Sequence, residues 1–231
     1  MKILIVAATA EEVGSLKSEV LSQSQESRVR NQEPQDITQD FRLQTFDFEL
    51  LITGVGMVAT AFALGRHLVS NQYDLVVNLG IAGSFDRNIA LGDVLEITED
   101  TFAELGAEDD DAFLSIEEMG FGQRTYFPST KLSNLYNLFN TFNLKTASAI
   151  TVNTVHGNEA SIKEISERLH PQLESMEGAA FFYACNQMNV PCIQIRAVSN
   201  YVEKRNRDHW ETGLAIKNLN TFALEFLKLY A

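Results

Sequence analysis

Short apolar runs alternate along the chain with longer stretches of helical periodicity. Lys2 to Ala7 is a β-branched and leucine run, the pattern of a strand covered on both faces, and a helix is expected from Glu11 to about Leu21. Ser22 to Asp40 is rich in Ser, Gln, Glu and Asn and reads as an exposed polar loop or insertion. Phe41 to Ile52 alternates as a strand or hairpin, and Thr53-Gly54-Val55-Gly56 opens a helix that runs to about Ser70. Leu75 to Leu79 is a buried strand, with Gly80-Ile81-Ala82-Gly83-Ser84 as a small-residue turn at its end. Asp93 to Ile97 is another strand, and Glu99 to Phe127, which contains Asp109, Asp110 and Asp111, reads as an irregular solvated stretch.

The second half repeats the theme. Leu132 to Phe142 has helical spacing, Thr146 to Val152 is strand-like, and Glu159 to Leu169 is an amphipathic helix stopped before Pro171. Gly178 to Met188 is a strongly apolar helix, Cys192 to Val198 a buried strand, and Leu214 to Tyr230 a closing helix. Strands alternating with helices predict an α/β fold: one domain over residues 1–231, a three-layer α/β/α sandwich around a central mixed β-sheet.

Composition narrows the class of partner. With 231 residues, 45% of them hydrophobic, the chain supports one sizeable core. Thirty-one acidic against 18 basic residues give a formal charge of −13, which disfavours nucleic acid and anionic membrane surfaces. No apolar stretch approaches the roughly 18 residues of a membrane span, and Ile3 to Ala8 is too short for a signal peptide. Cys185 and Cys192 have neither metal-ligand spacing nor the density of a disulfide framework, so a reducing cytoplasm is the expected location.

Three segments place polar groups in apolar surroundings at strand ends or helix starts. In Thr9-Ala10-Glu11-Glu12, the acids either complement a helix dipole or serve chemistry. In Ser175-Met176-Glu177-Gly178, a carboxylate precedes an apolar helix; it is either a local cap or an acid that needs a donor from elsewhere, such as a ligand hydroxyl. In Arg196-Ala197-Val198-Ser199-Asn200, a guanidinium lies within an apolar strand and must be paired or aimed into a polar cleft. Ser199 and Asn200 also suit a turn.

Taken in order and spacing, these segments resemble the nucleoside phosphorylase and nucleosidase superfamily. The resemblance rests on Met1-Lys2-Ile3 with Ala8 and Glu11-Glu12-Val13, Gly80-x-Ala82-Gly83, Leu91-Gly92-Asp93-Val94, Ser175-Met176-Glu177-Gly178-Ala179 and Arg196-Ala197-Val198-Ser199. It implies cleavage of a purine nucleoside without cofactor or metal. The small-molecule nucleoside would be the partner, and the protein a homo-oligomer, dimer or higher. Charge flow in such a cleavage needs anions near the sugar and donors near the base.

By this resemblance Glu177 would accept from the ribose hydroxyls, Met176 would pack on the ribose face, and Glu12 would polarise the attacking water, with Glu11 as the alternative if the turn is shifted. Arg196 would orient Glu12 or the water. Thr9, Gly80, Ile81, Val155, His156 and Ser199 would complete the substrate site, Gly80 by letting backbone approach closely.

Two departures narrow the activity. Phosphorylases of the superfamily hold phosphate with an arginine before the glycine segment, whereas Val76-Val77-Asn78-Leu79 has no cation, so water is the expected nucleophile. Adenosine-cleaving members carry an aspartate where Asn200 stands. An amide can both donate to a 6-oxo oxygen and accept from a ring N–H, which favours release of hypoxanthine over adenine. Within the superfamily the implied branch is the hydrolases acting on a nucleoside with a carboxyphenyl-bearing 5′ side, in quinone synthesis. The alternatives are a nucleosidase for methylthioadenosine and adenosylhomocysteine, a phosphorylase and a non-catalytic nucleoside-binding protein.

Overall fold

The computed structural model describes residues 1–14, 16, 38–42, 47–129, 142 and 144–229. The predicted helix over 132–142 and most of the polar stretch from Ser22 lie outside them. The strands are β1 Ile3–Ala7, β2 Thr38–Arg42, β3 Asp47–Ile52, β4 Leu75–Ser84, β5 Val94–Phe102, β6 Gly106–Asp109, β7 Ala112–Ser115, β8 Thr125–Tyr126, β9 Lys145–Thr151, β10 Leu173–Ser175 and β11 Cys192–Tyr201. The helices are α1 Met57–Ser70, α2 Glu159–Leu169, α3 Gly178–Gln187 and α4 Thr212–Lys228.

A nine-stranded mixed sheet runs in the order β10-β9-β5-β11-β4-β1-β3-β2, with β8 on β5 and a further pairing of β10 with β4. That last pairing closes β4, β11, β5, β9 and β10 into a ring. Alternation along β1 shows why the sheet is buried on both faces. Ile3, Ile5 and Ala7 join α4 residues Leu219, Phe222 and Phe226 in one core, while Leu4 and Val6 join Leu64, Leu68, Phe181 and Phe182 of α1 and α3 in the other. Each fully buried Leu, Ile or Phe contributes about 1.5–3 kcal/mol of transfer free energy. The result is the expected three-layer arrangement.

The segment after β1 opens with a 3-10 turn, Glu11–Val13, and Gly14 and Leu16 beyond it are helical; the rest of the predicted helix to Leu21 lies outside the described residues. Three expectations about elements are corrected. Thr38 to Asp40, expected in the polar loop, pair with Leu51, Leu50 and Glu49 as part of a hairpin, because β3 offers an open edge there. Gly80 to Ser84 do not turn: β4 continues to Ser84, paired on one side with β11 and on the other, at Gly83 and Ser84, with β10. Small residues let backbones and a guanidinium crowd that strand, a requirement that looks like turn composition in sequence. Finally, 99–127 is not irregular: β5 extends to Phe102, and Gly106–Asp109 pairs with Ala112–Ser115 in a hairpin whose turn places Asp110 at φ 54. The acidic run is solvated, as expected, but as a hairpin tip.

Among the described residues no helix is long and apolar enough to cross a membrane.

Candidate active site

The site gathers at the carboxyl ends of β1, β4 and β11, where open α/β sheets bind ligands. Arg196 in β11 lies opposite Gly80 in β4, and Asn200 opposite Gly83. Gly80 is small for a reason the structure makes concrete: a Cβ there would stand 1.8 Å from Arg196 Nη1 and 3.2 Å from Glu12 Oε1. Gly80 thus makes room for the guanidinium, where the resemblance implied room for a substrate. Gly80→Ala is expected to cost about 1–3 kcal/mol through overpacking and to remove most turnover. Thermal unfolding and initial rates on the same preparation check this, and wild-type values of both would mean that the guanidinium can move aside.

Glu12 sits in the 3-10 turn after β1 and is buried, whereas Glu11 is exposed. Its carboxylate is held from two elements: Oε2 accepts from Thr9 N at 2.9 Å and Thr9 Oγ1 at 3.3 Å, and Oε1 from Ile81 N at 3.2 Å. Thr9 and Ile81 therefore serve the carboxylate directly. Burial pushes the Glu12 carboxyl above its ordinary value of 4.5, opposed by Arg196 and the two backbone donors and assisted by the nearby charge of Glu177.

Glu177 stands immediately before α3, yet its side chain does not cap that helix. Its Oε1 accepts from Gly56 N at 3.0 Å, 121 residues away, and its Oε2 lies 4.0 Å from Arg196 Nη1. The local-cap alternative is thereby excluded. Gly56, with φ 96, reaches a backbone conformation that L side chains rarely adopt. Met176 is half-buried beside this carboxylate in sequence.

Arg196 is 1% exposed and is held by two side-chain hydrogen bonds. Its Nε donates to Gln194 Oε1 at 2.7 Å and its Nη2 to Asn78 Oδ1 at 2.6 Å. Asn78 in turn donates to Val6 O at 3.1 Å. The carboxylate nearest the guanidinium is that of Glu177, so Arg196 acts on Glu12 through its charge and not through a direct hydrogen bond. Three side chains from distant parts of the chain, Glu12, Glu177 and Arg196, thus share one buried polar centre.

A second polar group lies three residue pairs farther along β4, roughly 10 Å away at strand rise. The register of β11 shifts between Val198 and Asn200, and this bulge turns Asn200 over Gly83. Ser199 is buried, its single hydroxyl hydrogen lying between Ala82 O at 3.2 Å and Asn200 Oδ1 at 2.8 Å, while Asn200 Nδ2 donates to Tyr201 O at 3.0 Å. The amide retains one hydrogen and one lone pair for a ligand. Ser199 thus touches this amide directly.

Across Gly83, β10 brings Glu174, whose carboxylate accepts from His156 N at 2.9 Å and meets His156 Nδ1 at 2.6 Å. His156 also packs edge-on against Phe85, with Val155 in the same small apolar cluster. The loop beyond Asn200 is tied back here, since Arg205 N donates to Gly157 O at 3.2 Å.

Sequence reasoning missed Asp100, Gln194, Thr151, Asn78 and Glu174 as partners of the site. One signal was available: Gln194 and Arg196 are two apart in an apolar strand and so share a face, which asks what two large polar groups do in one layer. Asp100 was hidden because an acidic stretch reads as solvated.

The chain belongs to the phosphorylase superfamily, whose family model matches residues 2–229. Among its relatives, futalosine hydrolase of Streptomyces coelicolor is 35% identical over 179 residues, covering 74% of this chain and 75% of that one. Futalosine hydrolase of Thermus thermophilus is 31% identical over 174 residues, covering 74% and 77%. Among solved structures, futalosine hydrolase of Helicobacter pylori superposes with a TM-score of 0.78 at 18% identity, covering 99% of this chain and 96% of that one, a likeness of fold.

Proposed function

We propose that this chain is a futalosine hydrolase, which splits the N-glycosidic bond of futalosine with water to give hypoxanthine and dehypoxanthine futalosine, a step in menaquinone synthesis by the futalosine route. The observation that carries the reading is the convergence of two buried carboxylates, Glu12 and Glu177, on one guanidinium. The substrate is that of the similar futalosine hydrolases of Streptomyces coelicolor and Thermus thermophilus.

The chemistry follows from the charges. As the bond between ribose and base stretches, positive charge builds on the sugar and the electron pair leaves with the base. Glu177, accepting from the 2′ and 3′ hydroxyls, anchors the sugar and stabilises that charge. Glu12 takes a proton from water while the water oxygen bonds to the anomeric carbon, and the departing base takes up a proton from solvent. Met176 packs on the ribose.

The Arg196 charge opposes the burial that raises the Glu12 carboxyl and lies 4.0 Å from Glu177. At the far end, Asn200 donates to the 6-oxo oxygen and accepts from a ring N–H, with His156 and Val155 beside the base. The stretch Val76 to Gly80, where a phosphorylase would hold its arginine, has no cation, and the Asn78 oxygen within it is committed to Arg196. We also read the protein as a cytoplasmic homo-oligomer; the two cysteines are buried free thiols, which suits a reducing compartment.

Chromatography of the base released from futalosine, aminofutalosine, inosine and methylthioadenosine, with and without phosphate, tests substrate and reaction together. Hypoxanthine from futalosine at a rate independent of phosphate is the expected result. Preferential adenine release from methylthioadenosine would instead favour the nucleosidase alternative, and a sugar phosphate would mark a phosphorylase. Asn200→Asp is expected to shift preference toward 6-amino purines by about tenfold or more, since an ionised aspartate cannot donate to a 6-oxo oxygen and losing one such hydrogen bond costs about 0.5–1.5 kcal/mol or more. Ratios of kcat/KM for futalosine and aminofutalosine measure it, and an unchanged ratio removes Asn200 as the selector.

A further inference from the structure

Behind the site lies a carboxylate that touches neither solvent nor the substrate space. Asp100, in β5, is 0% exposed. One of its oxygens accepts from Thr151 Oγ1 at 2.8 Å and the other from Gln194 Nε2 at 3.1 Å. Each partner passes the contact on. Gln194 Oε1 accepts from Arg196 Nε at 2.7 Å, and Thr151 Oγ1 accepts from Ala179 N at 2.7 Å, two residues after Glu177. Gly178 rests on the same pair: a Cβ there would stand 2.0 Å from Asp100 Oδ2 and 2.3 Å from Gln194 Oε1.

We infer that Asp100 is a positioning residue of the hydrolytic site, an acceptor-only anchor that fixes the polarity of two hydrogen-bond chains, one ending on Arg196 and the other on the helix start that carries Glu177. The inference rests on the roles proposed above for Arg196 and Glu177. Its physical core is directional. An amide can turn over by 180° at little intrinsic cost, and a hydroxyl can donate or accept. If Gln194 turned over, its NH2 would face the Nε–H of Arg196, donor against donor, and the guanidinium would lose its seat.

The carboxylate forbids that state, because the turned amide would set its oxygen against an anion. In the same way it draws the Thr151 hydrogen toward itself and leaves a lone pair for Ala179 N–H. An apolar residue at position 100 would cost less to bury. Burial in fact pushes the Asp100 carboxyl up to about 6, against the pull of Thr151, Arg196 and Gln194. What the acid supplies in return is two acceptors and no donor in one rigid group.

Three variants test this through exchanged polarity. In Asp100→Asn one arm loses its acceptor whichever way the new amide turns, and in Gln194→Glu two carboxylates face each other. The double variant restores complementarity at the same net charge: the amide at 100 donates to the carboxylate at 194, which accepts from Arg196. Each single variant is expected to lower kcat on futalosine by about 10²-fold, the loss typical of a misplacement near 1 Å, while hypoxanthine affinity at the Gly83 end changes little. The double variant is expected to return to within about fivefold of wild type.

A second readout does not depend on turnover. The Arg196 Nε–H resonance in ¹⁵N-labelled protein should be protected from exchange in wild type and in the double variant, and lose protection in both singles. Thermal unfolding of all four proteins sets an assay temperature at which each is folded. Single variants with wild-type kcat or an unchanged Arg196 signal, or a double variant no better than the singles, would overturn the role of Asp100. A wild type inert on futalosine would overturn the hydrolase reading instead, with the resonance pattern still deciding for or against the anchor.

Discussion

Glu12→Gln is expected to lower kcat on futalosine by about 10²- to 10⁴-fold, the range a positioned general base contributes, with KM within a few-fold of wild type. The amide keeps one oxygen for Thr9 N or Ile81 N, so the fold of the turn survives while proton acceptance is lost. The wild-type pH profile should carry the same signature. A base must be ionised to act, and burial together with the Glu177 charge raises this carboxyl above 4.5 against the opposing pull of Arg196, Thr9 and Ile81. The base form therefore disappears as the pH falls, and the acid limb of kcat/KM lies above pH 4.5. That limb should be missing from the residual activity of Glu12→Gln. Full activity in the variant would transfer the base role to another group, of which Glu11 is the exposed neighbour.

Removing the other carboxylate should affect binding and rate together. Hydrogen bonds to a charged group are worth about 1.5–3 kcal/mol each, and Glu177 is proposed to hold two ribose hydroxyls. Glu177→Ala is accordingly expected to reduce kcat/KM by roughly 10²- to 10⁴-fold, with KM raised and kcat lowered. The truncation also frees Gly56 N at the start of α1 and leaves the buried Arg196 without its nearest carboxylate. A lowered unfolding midpoint should accompany the kinetic loss. Steady-state kinetics with futalosine and a 2′-deoxy analogue separate the contributions: the analogue should lose much less than futalosine does when Glu177 is replaced. Equal losses on both would show that Glu177 does not engage the 2′ hydroxyl.

Much of this site is legible in residue order because its charged parts adjoin or interrupt runs of buried residues. Glu12 follows a strand made of Ile, Leu and Val, Glu177 precedes a helix made of Ala, Phe and Cys, and Arg196 interrupts a run that is otherwise buried. In each case a charge stands next to residues that must be inside, and burying a charge without partners is too expensive to be incidental. The fold is legible for the same reason. Period-two and period-3.6 patterns report which face each element buries, and β1, α2 and α3 fall within a residue or two of their expected bounds.

What the chain order determined was therefore the identity of the charged groups and the layers that would enclose them, since periodicity and burial cost are local properties. What only the tertiary structure decided was partnership. Nothing local says that Gly56 donates to Glu177 across 121 residues, that Gly80 is small so that Arg196 can cross it, or that Asn200 is turned over Gly83 by a bulge. Nor could an acidic stretch announce that Asp100 alone among its neighbouring acids is wholly buried. Those facts depend on how β4, β11, β5, β9 and β10 close into a ring, and the choice of distant pairing partner is not written in the hydrophobic pattern of either strand.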